Sequence, residues 1–191
     1  MLVGSEIGAA LNSLENLGVD LVGLNCATGP TEMSEHLRYL SQNSRVGISC
    51  MPNAGLPILK EGSAHYPLTP EELAISLEKF VEQYGVRLVG GCCGTTPEHL
   101  KAVVHKFKGK SGKELVRSSE PGTGVSSLYQ FVPFKQDRTY LAIGERANAN
   151  GSKAFRESLL REDWDGCIEI AKEQIRDGAR ILDLSVDHGG S

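Results

Sequence analysis

The sequence has 191 residues, of which 40% are hydrophobic and 23% charged, proportions typical of a folded soluble chain. Lysine plus arginine number 20 against 24 aspartate plus glutamate, which gives a formal charge of -4. This mild acidity provides no positive field for phosphate backbones, and no apolar run approaches the ~20 residues that cross a bilayer. We therefore expect neither nucleic-acid nor membrane binding, and a cytoplasmic location in which the five cysteines stay reduced.

Helices and strands are predicted to alternate through the first part of the chain. Glycines mark several helix ends, and apolar runs of strand length follow them. The predicted elements are, in chain order, a helix ending at Gly18, a strand ending at Cys26, a helix over Thr31–Asn43, a strand over Arg45–Cys50, a helix opened by the capping box Thr69-Pro70-Glu71-Glu72 and ending at Gly85, a strand over residues 86–93, and a helix opened by Thr96-Pro97.

The alternation stops over residues 106–138, which are rich in glycine, serine and lysine and indicate an interdomain linker. The stretch Val125–Phe134 is predicted to form an extended piece or a hairpin. The remaining elements are a strand over Tyr140–Gly144, helices over Ser152–Arg161 and Asp163–Asp177, and a strand over Arg180–Leu184. Three strands before the linker and two after it do not close a sheet, so we expect an α/β chain whose two parts belong to larger domains.

Three cysteines occupy matching positions. Cys26 and Cys93 each lie eight residues after a glycine that ends a predicted helix, and Cys92 is adjacent to Cys93. Because ligands bind at the carboxyl ends of parallel strands, these thiols are predicted to converge on one edge. Three thiolates with an open fourth position describe a catalytic zinc site, although a Cys-Cys pair can also be two small buried residues. Cys50 is interpreted as a packing residue, and Cys167, within an amphipathic helix, as a core or surface residue.

Three segments, GLNCATGP, SCMPNAGLP and GGCCGTTPEHL, resemble the last three strands of the homocysteine-binding barrel of zinc-dependent homocysteine methyltransferases. The resemblance covers residues 1–108. It implies that Cys26, Cys92 and Cys93 bind the zinc ion that activates the substrate thiol, and that Asn53 lies beside the zinc and homocysteine.

Two later segments, IGERANANGSKAFRE and DWDGCIEIAKEQIRDGARILDLSVD, resemble the opening of a pterin-binding barrel. The resemblance implies a (β/α)8 TIM barrel that begins near residue 139, with 109–138 as the linker. It also implies that Asn148, just past the first strand, and Asp183 contact the pterin, with Asp187 a weaker candidate. Asn148 could instead serve a turn, and Asp183 could be a charge satisfied by the backbone.

The succession of the two modules resembles the cobalamin-dependent homocysteine methyltransferases. It implies that homocysteine takes a methyl group from methylcobalamin, which 5-methyltetrahydrofolate recharges, and that a module outside this chain binds the cobalamin. We therefore expect parts of two TIM barrels, neither complete, in a segment that is inactive alone. Two alternatives stay open: a homocysteine methyltransferase that uses betaine or S-methylmethionine, which resembles the first part only, and a non-catalytic zinc-binding fragment.

Overall fold

The computed structural model describes residues 4–60, 62–110 and 123–189. The chain forms two compact units, each with its own apolar core. The first unit takes in the described residues up to Lys110 and Leu128–Gln130, and the second takes in Thr123–Ser127 and the described residues from Phe131 onward. Both units combine helices with parallel strands, which confirms the predicted α/β class.

A three-stranded parallel sheet organises the first unit. The elements of this unit are, in chain order, α1 (Ile7–Glu15), β1 (Leu21–Asn25), α2 (Pro30–Asn43), β2 (Gly47–Met51), β3 (Ile58–Lys60), β4 (Ser63–His65), α3 (Pro70–Tyr84), β5 (Leu88–Val89) and α4 (Pro97–Phe107). Strands β1, β2 and β5 pair in that order, with Leu24 opposite Cys50 and Cys50 opposite Val89. Because the strands are parallel, their carboxyl ends meet at one edge of the sheet.

Helices α2 and α3 cover this sheet with an apolar core. Leu37 of α2, Ile48 of β2, and Leu73 and Leu77 of α3 are fully buried in one cluster. Burial of each such side chain stabilises the fold by about 1.5–3 kcal/mol. The core therefore fixes the strand ends relative to the helices that follow them.

The C-terminal end predicted for α3 is confirmed, whereas the end predicted for α1 is wrong. Gly85 caps α3 in the left-handed conformation at φ 61°, as predicted. The helix predicted to end at Gly18 instead ends at Glu15, because the Gly18 amide donates to the Glu15 carbonyl oxygen and closes a further turn. Gly18 still has a positive φ of 72°, so the glycine ends the turn rather than the helix.

The third parallel strand is much shorter than predicted. The sequence predicts a strand over residues 86–93, but β5 ends at Val89. The Gly90 amide still donates to Cys50, whereas the Cys92 amide donates to the Pro52 carbonyl oxygen. The chain therefore leaves the sheet before the two cysteines, which lie on a loop and not on a strand.

A hairpin that the sequence analysis missed lies between β2 and α3. Strands β3 and β4 pair antiparallel, with Leu59 opposite Ala64. Gly62, at φ 78°, lies in the turn. The signal was present as a glycine between two short strand-like runs, PILK and SAH.

The second unit contains a two-stranded parallel sheet. Its elements are, in chain order, β6 (Gly124–Ser126), β7 (Phe131–Pro133), β8 (Ile143–Asn148), α5 (Lys153–Leu160), α6 (Trp164–Arg176) and β9 (Ile181–Ser185). Strand β8 pairs with β9, and the register shifts between Gly144 and Ala147. The strand predicted over Tyr140–Gly144 therefore begins and ends later, because this irregularity lets the ladder continue through the polar segment GERAN.

Strands β6 and β7 form an antiparallel hairpin, with Val125 opposite Val132. Of the two forms predicted for Val125–Phe134, an extended piece or a hairpin, the structure has the hairpin. Residues 111–122 of the predicted linker lie outside the described residues. Among the helices of the described ranges, none is both long and apolar enough to span a membrane.

Candidate metal centre

Three thiols converge at the carboxyl edge of the β1-β2-β5 sheet. The Cys26 and Cys93 sulfur atoms are 3.5 Å apart, and those of Cys92 and Cys93 are 4.0 Å apart. All three sulfurs lie within 4.8 Å of one another. The structure thus brings together the three cysteines that the sequence analysis selected.

The backbone at Cys26 adopts an unusual conformation that directs its side chain. Cys26 and Ala27 have positive φ angles of 60° and 63°, a conformation that non-glycine residues rarely adopt. Two hydrogen bonds hold it: the Cys26 amide donates to Met51 at 2.9 Å, and the Thr28 amide donates to Cys26 at 2.7 Å. Strain of this kind is found where the surrounding structure requires one side-chain position.

The loop that carries Cys92 and Cys93 is held by its backbone. The Cys92 amide donates to Pro52 at 2.8 Å, and the Cys93 carbonyl oxygen accepts from the Ala54 amide at 2.9 Å. Gly94 has a φ of 77°, which allows the sharp bend after the cysteines. Adjacent cysteines can therefore turn toward the same point.

Asn53 is 4% exposed and connects the two halves of the site. Its Oδ1 atom accepts a hydrogen bond from the Cys93 amide at 3.0 Å. The backbone amide of Asn53 donates to the Thr28 carbonyl oxygen at 3.0 Å. Asn53 therefore lies beside the thiols, with its side-chain oxygen bound to the backbone of Cys93.

The pKa values of Cys26 and Cys93 shift in opposite directions. A hydrogen bond from the Ala27 amide, followed by contacts with Cys93 and Cys92, lowers the pKa of Cys26. Contacts with Cys26 and Cys92 raise the pKa of Cys93. Of Cys26 and Cys93, Cys26 is therefore the one whose thiolate its surroundings stabilise.

The other two cysteines are packed in the cores of their units. Cys50 is fully buried and contacts the Met33 sulfur at 3.9 Å, and burial raises the pKa of Cys50 to about 12. Cys167 is 8% exposed and packs with Phe155 in the second unit. The packing role predicted for Cys50 is confirmed, and Cys167, for which core and surface were both left open, lies in a core.

The two candidate pterin residues meet in the second unit. The Asn148 Nδ2 atom donates to Asp183 Oδ2 at 2.8 Å. Asn148 is the last residue of β8, rather than a residue beyond the strand as predicted, because β8 extends further than expected. Asn150 donates to the Asp187 carbonyl oxygen at 2.7 Å, so the backbone of the weaker candidate also belongs to this cluster.

Comparisons with known proteins match both units. The model of the homocysteine S-methyltransferase family matches residues 1–107, and the model of the pterin binding enzymes matches residues 144–191. The chain belongs to the homocysteine S-methyltransferase family. It is 57% identical over 190 residues to methionine synthase of Mycobacterium tuberculosis (strain ATCC 25618 / H37Rv) and 54% identical over 193 residues to that of Mycobacterium leprae (strain TN).

These alignments cover the whole of this chain, but the chain spans only 16% of the length of each relative. Both relatives carry the name methionine synthase. The match to two family models agrees with the two resemblances found in the sequence.

Sequence reasoning missed the contact of Tyr66 with the cysteine loop and the capping role of His99 at the start of α4. Tyr66 follows β4, and its ring lies against Gly94. His99 is 7% exposed, accepts the Thr96 amide at 3.2 Å and bonds the Leu68 carbonyl oxygen at 2.9 Å. The pattern Thr-x-x-His at a helix start could have indicated the histidine cap, whereas no local pattern indicates the tyrosine contact.

Proposed function

We propose that this chain is a segment of a methionine synthase in which Cys26, Cys92 and Cys93 bind Zn²⁺ and present it to homocysteine. In the complete enzyme, methylcobalamin would supply the methyl group to the homocysteine thiolate and leave as cob(I)alamin, and 5-methyltetrahydrofolate would restore the methyl group and leave as tetrahydrofolate. Asn53 serves the zinc and homocysteine site, and Asn148 and Asp183 contact the pterin. The convergence of three thiols at one edge of the sheet is the observation that carries this proposal.

The donor set fits zinc. A tetrahedral ion with Zn–S bonds of about 2.3 Å separates its sulfurs by about 3.8 Å. The distances of 3.5 Å and 4.0 Å between neighbouring sulfurs lie on either side of this value. Three thiolates also leave one coordination position for a substrate thiol, as in other catalytic zinc sites.

Zinc supplies Lewis acidity, which lowers the pKa of a bound substrate thiol so that it reacts as a thiolate. The protein contributes the position of the ligands. The Ala27 amide stabilises the charge on Cys26, and Asn53 fixes the Cys93 backbone through the 3.0 Å hydrogen bond. These contacts hold the donor atoms before the metal arrives, which reduces the ordering cost of binding.

The second unit supports folate as the methyl source. Asn148 ends β8, and its side chain donates a hydrogen bond to Asp183 in the middle of the neighbouring strand β9. An amide and a carboxylate together can accept from and donate to the edge of a pterin ring. Betaine and S-methylmethionine need no such module, so the match to pterin binding enzymes favours the folate-dependent alternative.

In this proposal, residues 1–108 belong to the homocysteine barrel, residues 109–138 form a linker, and residues 139–191 belong to the pterin barrel. Neither barrel is complete in the chain. Cobalamin binding belongs to a module outside these residues. The chain spans 16% of the length of its methionine synthase relatives, which supports a division of the activity among further parts.

Zinc binding by single-cysteine variants tests the metal centre. We expect one zinc per chain after dialysis, with three sulfur neighbours at about 2.3 Å in X-ray absorption. Cys26→Ser, Cys92→Ser and Cys93→Ser should each lower the affinity at least tenfold, as measured by competition with a chromophoric chelator. The matched control is Cys167→Ser, which removes a thiol from the other unit and should bind zinc as the parent does.

Equal zinc affinity in the parent and in the Cys26→Ser and Cys93→Ser variants would rule out this metal centre. Loss of zinc in the Cys167→Ser control as well would show that the effect follows general unfolding rather than ligand removal. Circular dichroism of each variant separates the two results.

A further inference from the structure

Asn150 is not among the candidate pterin residues, yet it bonds two of them. It is exposed in the turn between β8 and α5. Its backbone amide donates to the Asn148 Oδ1 atom at 2.9 Å, and its side-chain Nδ2 atom donates to the Asp187 carbonyl oxygen at 2.7 Å. This one residue therefore joins the end of β8 to the segment that follows β9.

The bond to Asn148 determines which way the side-chain amide of Asn148 faces. An amide oxygen accepts hydrogen bonds, and an amide nitrogen donates them. Because the Asn150 amide donates to Oδ1, the Nδ2 atom of Asn148 is directed toward the Asp183 carboxylate, to which it donates at 2.8 Å. The backbone of Asn150 thus holds the Asn148–Asp183 pair in one orientation.

The bond to Asp187 holds the segment that follows β9. At the end of this strand, the Ala149 amide donates to the Ser185 carbonyl oxygen at 2.9 Å. Beyond that point, the bond from Asn150 to Asp187 is the one hydrogen bond that other described residues make to residues 186–189. The position of this segment relative to the sheet therefore depends on a single side-chain amide.

These contacts lie at the carboxyl edge of β8 and β9, the edge at which parallel α/β sheets bind ligands. A loop that becomes ordered only when the ligand binds lowers the affinity, because its ordering costs free energy. A hydrogen bond that orders the loop in the free protein removes this cost. The side chain of Asn150 can therefore favour ligand binding without contacting the ligand.

We propose that Asn150 is a positioning residue of the pterin site, which fixes the Asn148 amide through its backbone and residues 186–189 through its side chain. This inference rests on the proposed pterin contacts of Asn148 and Asp183 and adds a residue that does not contact the ligand. Loss of the side chain weakens binding of 5-methyltetrahydrofolate and leaves the transfer rate at saturation unchanged.

The Asn150→Ala and Asn150→Asp variants test this role in the complete methionine synthase that contains this segment, prepared without cobalamin. Aspartate keeps the size of the side chain and its preference for turns but has no amide donor. The dissociation constant of 5-methyltetrahydrofolate is measured by isothermal titration calorimetry. We expect it to rise about three- to tenfold in both variants, as loss of one intramolecular hydrogen bond predicts.

The same titration distinguishes positioning from a purely structural role. A purely structural role would lower the number of folded sites and leave the affinity of each site unchanged. We expect one site per chain in both variants, with the higher dissociation constant. In the cobalamin-loaded enzyme, the rate of methyl transfer at saturating 5-methyltetrahydrofolate should stay within about twofold of the parent.

The matched control is Gln136→Ala. The Gln136 Nε2 atom also donates from an exposed side chain to a backbone carbonyl oxygen of the second unit, that of Pro133, at 2.6 Å. This bond involves neither strand of the parallel sheet, so the variant should bind 5-methyltetrahydrofolate as the parent does. A rise equal to that of the Asn150 variants would overturn the role of Asn150.

The outcomes separate this inference from the proposed function. A parent enzyme that binds 5-methyltetrahydrofolate no more tightly than both Asn150 variants overturns the role of Asn150 and leaves the folate proposal intact. Variants with fewer sites but the affinity of the parent also overturn it. A parent that does not bind 5-methyltetrahydrofolate overturns both. A raised dissociation constant in both Asn150 variants, with one site per chain and an unchanged Gln136→Ala, supports the positioning role.

Discussion

Asn53 joins the two segments that carry the thiols through hydrogen bonds. Its side-chain Oδ1 atom accepts a hydrogen bond from the Cys93 backbone amide. Its backbone amide donates a hydrogen bond to the carbonyl oxygen of Thr28, two residues beyond Cys26. The side chain and the backbone of Asn53 together link the segment of Cys26 to the segment of Cys92 and Cys93. The resemblance to the family implies a position for Asn53 beside a zinc ion, whereas the hydrogen bond to Cys93 becomes apparent only in three dimensions.

The Asn53→Ala variant should destabilise the first unit. The Cys93 amide loses its acceptor, and an unsatisfied amide of this kind costs about 1–3 kcal/mol. Urea unfolding of the reduced, metal-free chain measures the change in free energy of unfolding. Asn43→Ala, at an exposed asparagine that bonds the Tyr39 carbonyl oxygen, is the control and should stay within about 0.5 kcal/mol of the parent. Unchanged stability with lost zinc affinity would instead make the amide a direct metal contact.

Helix α3 carries the best-formed capping box of the described residues, and it leads from the hairpin back to the sheet. The Thr69 hydroxyl accepts the Glu72 amide at 3.3 Å, and the Thr69 amide donates to the Glu72 carboxylate at 2.8 Å. The Thr69 backbone and then the Thr69 side chain lower the pKa of Glu72 below its ordinary value of 4.5. The charged carboxylate is therefore the form that caps the helix.

This capping box should make the stability of the first unit depend on pH. Because the pKa of Glu72 is lowered in the folded chain, its contribution is present above pH 4.5 and is lost as the pH falls through the folded value. Thr69→Ala should cost about 1 kcal/mol near neutral pH. Urea unfolding from pH 7 to 3 should show a smaller loss on acidification in Glu72→Gln than in the parent. An equal loss in both chains would contradict the assignment.

The ends of helices and strands were predicted correctly where the signal lies close by in the sequence. They were missed where a contact with a distant residue ends the element. The Thr69 cap and Gly85 indicated both ends of α3, since each acts within one turn. The end of β5 was missed because the Cys92 amide bonds Pro52, forty residues away in sequence. The three cysteines were found because equal spacing from two helix ends reflects equal positions in the sheet, but the positive φ of Cys26 had no sequence signal.

At the scale of the whole molecule, the two units carry complementary chemistry. The first holds the three thiols, and the second holds the paired amide and carboxylate. In the proposed reaction, one unit activates the methyl acceptor and the other presents the methyl donor. Neither unit supplies a cobalamin site in this proposal, so the two half-reactions need a third component that carries the methyl group.

The isolated 191-residue chain should therefore bind zinc but make no methionine from homocysteine and methylcobalamin. Its alignments cover only 16% of the length of the methionine synthase relatives, and free methylcobalamin lacks a module to hold it against the thiolate, which removes the advantage of proximity. Methionine should be measured by mass spectrometry over several hours. The zinc content of the same preparation is the control, because an inactive chain that retains its metal cannot owe its inactivity to an empty site. Steady formation of methionine over many turnovers would show that the described thiols and their neighbours suffice for the methyl transfer.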